Sequence, residues 1–128
     1  MSTPEMPHLL SVEDNPHTRA LLNHLLGEDY RLTFASSVEE ALGAINSDRP
    51  FDLFLFDINL GVDKEGTELL QILRSREDTA NVPAVALTAY AMPGDREELL
   101  REGFDGYVGK PFTGEELTEV IDLTLAAA

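Results

Sequence analysis

Phe51-Asp52-Leu53-Phe54-Leu55-Phe56-Asp57 is the stretch that decides the fold. Leu53 to Phe56 are apolar on both parities of an extended chain, so this strand is covered on both faces, as in the middle of a parallel sheet. Working outward, strand-like and helix-like periods alternate. Upstream, His8-Leu9-Leu10-Ser11-Val12 is a short apolar run that stops at Glu13-Asp14-Asn15-Pro16, a helix start with proline in the first turn. Leu21, Leu22, Leu25 and Leu26 follow at helical spacing, and Gly27 closes that helix. Tyr30 to Ala35 reads as a strand, and Ser37-Val38-Glu39-Glu40 is a capping box ahead of Ala41, Leu42 and Ile45. Downstream, a loop from Gly61 to Gly66 leads to a helix carrying Leu69, Leu70 and Leu73. Val82–Leu87 is a second buried-type strand, Asp95–Glu102 a helix ended by Gly103, and Phe104–Val108 a weaker strand. Thr113-Gly114-Glu115-Glu116 caps a last helix with Leu117, Val120, Ile121 and Leu125.

Five strand–helix units therefore start near residues 8, 30, 51, 82 and 104. Strict alternation implies a parallel sheet with helices on both faces and right-handed crossovers. The 128-residue chain is too short for a barrel of about 250 residues and fits an α/β, flavodoxin-like doubly wound fold with strand order 2-1-3-4-5. The expected organisation is a loose tail over residues 1–7 and one domain over residues 8–126.

Composition narrows the function. Nine Lys+Arg against 24 Asp+Glu leave a formal charge of −15, the opposite of a nucleic-acid footprint and unsuited to an anionic membrane surface. The absence of cysteine excludes disulfides, thiolate–zinc sites and thiol nucleophiles. No apolar run approaches the roughly 20 residues that span a bilayer, and Met1–Pro7 lacks the features of a secretion signal. The expectation is a cytoplasmic protein with no nucleic-acid or membrane partner.

Open α/β sheets bind ligands beyond the carboxyl ends of their strands. There the first strand ends in Glu13 and Asp14, the third in Asp57 followed by Asn59, the fourth in Thr88, and the fifth leads into Lys110-Pro111. Singly, each has an ordinary use as a helix cap, loop acid, strand-end hydroxyl or surface lysine. Together, three carboxylates in one pocket repel one another unless a cation offsets them, and Mg²⁺ suits such hard oxygens together with a phosphate. A lysine facing the acids supplies a fixed positive charge beside such a phosphate. His17 and His24 lie seven residues apart on one helix but have no third ligand, so they read as solvated or packing residues.

Four pieces taken in order, Val12-Glu13-Asp14-Asn15, Leu53–Leu60, Ala86-Leu87-Thr88-Ala89-Tyr90-Ala91 and Gly106-Tyr107-Val108-Gly109-Lys110-Pro111-Phe112, resemble the receiver domain of bacterial two-component response regulators. The resemblance spans roughly residues 7–125. It implies that Asp57 is the phospho-acceptor, and that Glu13, Asp14, Asp57 and the backbone carbonyl of Asn59 hold Mg²⁺ (or Mn²⁺). It further implies that Thr88 and Lys110 contact the phosphate, that Tyr107 is the aromatic switch, and that Lys110–Pro111 is a cis peptide. A histidine kinase or histidine phosphotransfer protein would be the donor, and a downstream protein would read the face over residues 92–125. Such a domain assists its own phosphorylation and autodephosphorylation without being a metabolic enzyme. The rival reading is a phosphorylation-independent docking module with a degenerate site. A haloacid-dehalogenase-type phosphatase is excluded by Asn59, where a second Asp is expected, and by the chain length.

Two departures from the family pattern bear on chemistry. Gly61 stands where proline is frequent, in a loop one residue longer than the common form. Asn59 and Tyr90 stand where the family tunes the access of water to the acyl phosphate. A bulky Tyr90 shields it, so Tyr90→Ala is expected to lose the phosphoryl group several-fold faster than the native chain. The decay of phosphorylated Asp57 measures this, and equal lifetimes remove the shielding role.

Overall fold

Apolar side chains on both parities of one strand demand two cores, and the chain builds both. The computed structural model describes residues 6–47, 50–58, 65–89 and 93–127. Within them run β1 (His8–Val12), α1 (Pro16–Leu26), β2 (Arg31–Ala35), α2 (Val38–Ser47), β3 (Leu53–Ile58), α3 (Glu65–Ser75), β4 (Ala84–Thr88), α4 (Pro93–Glu102), β5 (Gly106–Gly109) and α5 (Gly114–Ala127). The strands form one parallel sheet in the order β2-β1-β3-β4-β5, as the alternation requires.

Side-chain alternation sorts residues between the two faces. Leu10, Phe54, Phe56, Ala84 and Ala86 pack with Leu69, Leu70 and Leu73 of α3, Ala41 of α2 and Leu99 of α4. Leu9, Leu53, Leu55, Val85, Leu87 and Val108 pack on the other face with Leu22 and Leu26 of α1 and Leu117 and Ile121 of α5. Phe56 stacks on Phe54 and meets Phe104 edge-on, with ring centroids 6.2 and 5.7 Å away.

Local sequence sets the helix ends. Asn15 caps α1, its side-chain oxygen accepting from the N–H groups of His17 (2.8 Å) and Thr18 (3.3 Å). Ser37 Oγ accepts from Glu40 N, while the Glu40 carboxylate reaches one residue further back than a simple box, to the N–H of Ser36. Thr113 and Glu116 form the expected pair ahead of α5. Gly103 ends α4 at φ 113°, a left-handed conformation that glycine adopts without a Cβ clash.

Some boundaries differ from the sequence reading. β3 runs on through Asp57 to Ile58, because Leu87 and Thr88 of β4 pair with both. Phe51 is buried against the His8 ring outside the ladder. Pro7, expected in a loose tail, is tied down: its carbonyl accepts from Arg31 N at 2.9 Å. At the opposite end of the sheet from Asp57, Arg74 of α3 donates to the carbonyls of Ala80 (3.2 Å), Val82 (2.5 Å) and Gly103 (3.1 Å) and to Asp105 Oδ2 (3.0 Å). Asp105 also accepts from Ala84 N, so one ion pair joins the starts of β4 and β5 to the ends of α3 and α4.

Phe56→Ala removes the ring shared by two aromatic contacts and leaves a cavity in a core that cannot collapse. It is expected to cost about 3–5 kcal/mol of stability, read from chemical denaturation at constant slope.

Candidate functional site

Register brings the chemistry together. Val12 pairs with Phe56, so the next residues on these neighbouring strands, Glu13 and Asp57, emerge side by side. The backbone N–H of Glu13 donates to Ala35 O at 2.8 Å, carrying the β1–β2 pairing one residue further. Thr88 pairs with Ile58 on one side and Gly109 on the other. Lys110 N then donates to Thr88 O at 2.8 Å, which swings the lysine over the strand ends. Its Nζ lies 2.5 Å from Asp57 Oδ2, and the Lys110–Pro111 peptide is cis.

Glu13 is the unusual member. Its side chain is buried (4% exposed). Oε2 accepts from Asn15 N at 3.0 Å, whereas Oε1 is buried with no hydrogen-bond donor among the described residues. Burial, and then the neighbouring Asp57 carboxyl, push its pKa from the ordinary 4.5 up to about 8; the Asn15 N–H and the Lys110 ammonium pull more weakly the other way. The two carboxyls are thus neighbours at the strand ends, and the ion pair with Lys110 is made by Asp57.

Asp14 is exposed, beyond the end of β1, whereas Glu13 still pairs with Ala35 through its N–H and is buried. Among the described residues no three His, Asp or Glu side chains gather closely enough to hold a metal ion as they stand.

Thr88 is fully buried and shares the parity of Ala84 and Ala86, which faces α3 and α4. Tyr107, opposite Ala86 in β5, is half-buried against the same cluster. The hydroxyl at the site and the aromatic ring therefore lie on one face of the sheet. Asn59, Tyr90 and Gly61 with most of its loop lie outside the described residues. His17 and His24 are exposed on α1, as solvated residues. The backbone N–H of Asn15, a residue the sequence marks as part of a helix start and of the first family piece, also holds Glu13, a bond no side-chain pattern signals.

Comparison with known proteins fits this geometry. The family model of the response regulator receiver domain matches residues 9–122. The chain is 34% identical over 119 residues to the sensor protein GacS of Pseudomonas syringae, covering 90% of this chain but spanning only 13% of that kinase. It is 32% identical over 121 residues to the polar-differentiation response regulator DivK of Brucella ovis, covering 94% of this chain and 97% of DivK. Among solved structures it superposes on chemotaxis response regulator CheY4 of Vibrio cholerae with a TM-score of 0.82 at 27% identity, over 93% of this chain and 98% of that one. The receiver domain of sensor histidine kinase PA1611 of Pseudomonas aeruginosa gives 0.80 at 31% identity over 94% and 98%, and it carries a magnesium ion in its active site cleft. The chain belongs to the response regulator receiver domain family, whose members are signalling modules of two-component systems found both as separate regulators and within sensor kinases. Among the described residues no helix is long and apolar enough to cross a membrane.

The Glu13 shift makes stability depend on pH with a definite sign. The folded chain holds a proton that the unfolded chain, with Glu13 near 4.5, releases; this stabilisation is complete below pH 4.5 and is lost as pH rises through about 8. In metal-free buffer the Tm is therefore expected to fall between pH 5 and pH 9. Glu13→Gln, which cannot ionise, removes much of that fall.

Proposed function

We propose that this chain is a phosphorylation-activated switch whose phospho-acceptor is Asp57. The observation that carries the reading is the Lys110 ammonium 2.5 Å from Asp57 Oδ2, beside a buried glutamate with one oxygen unpartnered among the described residues. A structural acid at a strand end needs neither a lysine folded over it nor a second carboxyl buried against it.

Hard carboxylate oxygens and an orphaned acceptor are what a divalent cation takes up. Glu13 and Asp57 would hold Mg²⁺ (or Mn²⁺), with Asp14 and the Asn59 carbonyl completing the set. The ion supplies positive charge to the transferring phosphoryl oxygens. An Asp57 oxygen attacks the phosphorus of a phosphohistidine on a histidine kinase or histidine phosphotransfer protein. As that O–P bond forms the N–P bond breaks, and the departing imidazole takes a proton from solvent water. Lys110 already lies at Asp57 and offsets the incoming charge, and the buried Thr88 hydroxyl offers a donor to a phosphate oxygen. Water later cleaves the acyl phosphate, returning the carboxylate and inorganic phosphate.

A new dianion at Asp57 draws Thr88 toward it, and the space Thr88 leaves lies on the face that carries Tyr107. This links a local charge change to α4, β5 and α5, the face over residues 92–125 that a downstream protein would read. Such a relay works in the cytoplasm through protein contacts.

Intact mass after treatment with a small phosphodonor and Mg²⁺ tests the reading. The native chain is expected to gain one phosphoryl group and Asp57→Asn none. A native mass unchanged under every condition overturns the switch in favour of a docking module that never takes phosphate. Because protonated Glu13 competes with the cation, Mg²⁺ affinity is expected to weaken as pH falls below about 8. A titration of Tm against Mg²⁺ at several pH values measures this.

A further inference from the structure

Glu13 is held in two places. Its own N–H is tied to Ala35 O, and its carboxylate Oε2 to the N–H of Asn15 at 3.0 Å. Asn15 is in turn fixed from both sides. Its side-chain oxygen accepts from His17 N (2.8 Å) and Thr18 N (3.3 Å), and its carbonyl accepts from Arg19 N (3.0 Å). The following Pro16 restricts the residue before it to extended backbone, and Asn15 sits there at φ −82° and ψ 118°. The direction of the Asn15 N–H is thereby set by the first turn of α1. One oxygen of a buried carboxylate is spoken for, and the other is left without a donor among the described residues, in a side chain 4% exposed and next to Asp57.

We infer that Asn15 is a positioning residue for the cation site: by locking the α1 cap it aims the Asn15 N–H at Glu13 Oε2 and so presents Oε1 to the metal. This rests on the reading of Glu13 and Asp57 as metal ligands. A glutamate has one more rotatable bond than an aspartate, so an unanchored Glu13 would spread its carboxylate over several rotamers and bind the cation less well. The Asn15 anchor removes that freedom before the cation arrives. Hydrogen bonds of this kind to ligating carboxylates commonly govern metal affinity by 10- to 100-fold.

The test is Mg²⁺ binding by calorimetry at pH 8 on the native chain, Asn15→Ala and Asn15→Ser, with Tm measured in metal-free buffer for each. Alanine removes the cap acceptor, and serine restores one with a different shape. Asn15→Ala is expected to bind Mg²⁺ roughly tenfold more weakly, and Asn15→Ser to return to within a few-fold of native. Should Asn15→Ala prove poorly folded, the Asn15→Ser and Pro16→Ala variants carry the same comparison. Pro16→Ala keeps the cap side chain but frees the backbone, and is expected to lose affinity by an intermediate factor. Native affinity in Asn15→Ala, with only its Tm lowered, makes Asn15 a simple helix cap and overturns this inference alone. A native chain that binds no Mg²⁺ overturns both this inference and the metal reading beneath it.

Discussion

Everything at the site follows from burying two carboxyls against one ammonium. Glu13 and Asp57 are placed together by the register of β1 and β3, and Lys110 closes over Asp57 from the end of β5. With both acids ionised the group carries one negative charge in excess, and the buried glutamate bears the cost, which is why its proton is held so tightly. The folded chain without a cation is thus in a compromise: keep the proton, or accept an uncompensated charge. On the proposed function, a divalent ion would resolve the compromise and a phosphoryl group would reopen it from the other side. The remainder of the fold keeps these three groups from drifting apart, through a sheet buried on both faces and helices pinned at their caps.

The architecture was readable because two simple periods alternate and because apolar residues on both parities of one strand admit few solutions. Parallel strands also place their carboxyl ends on one side, so naming the polar residue after each apolar run located Glu13, Asp57, Thr88 and Lys110 without any knowledge of packing. What could not be read depends on directions and on backbone groups. Glu13 and Asp14 have the same chemistry on adjacent positions, yet one is buried and one exposed, because the last link to β2 is made by Glu13 and the chain leaves the sheet after it. Arg74 finds three of its four acceptors among main-chain carbonyls. Every residue offers a carbonyl, so no pattern marks the three that are used. The link from Tyr30 to Asp122, which joins the start of β2 to α5, is equally silent because 92 residues separate the partners. The strand ends moved by a residue or two for the same reason, since pairing with a neighbour and not local preference decides where a ladder stops.

The acidity of the chain divides accordingly. Glu13 and Asp57 emerge side by side at the strand ends, while most of the remaining acids are exposed on helices and loops and act as a solvating coat. On α5 that coat runs through Glu115 and Glu119, with no basic residue in the last turn. Where acids do take part in structure they have specific donors: Asp105 takes the Arg74 cation and the Ala84 N–H, Asp52 the His8 N–H, and Asp122 the Tyr30 hydroxyl.

The sorting of side chains by parity has a consequence for how such a protein changes over generations. Glu13 and Asp57 continue the row of Leu9 and Leu55, backed by α1 and α5, whereas Thr88 and Tyr107 continue the row of Ala86, backed by α3 and α4. The two acids and the hydroxyl with its aromatic neighbour therefore lie in different layers, joined at the strand ends by Lys110 and its bond to Thr88. On the reading proposed above, heritable changes that tune the acids and changes that reshape the surface beside Tyr107 fall on opposite faces of one small sheet.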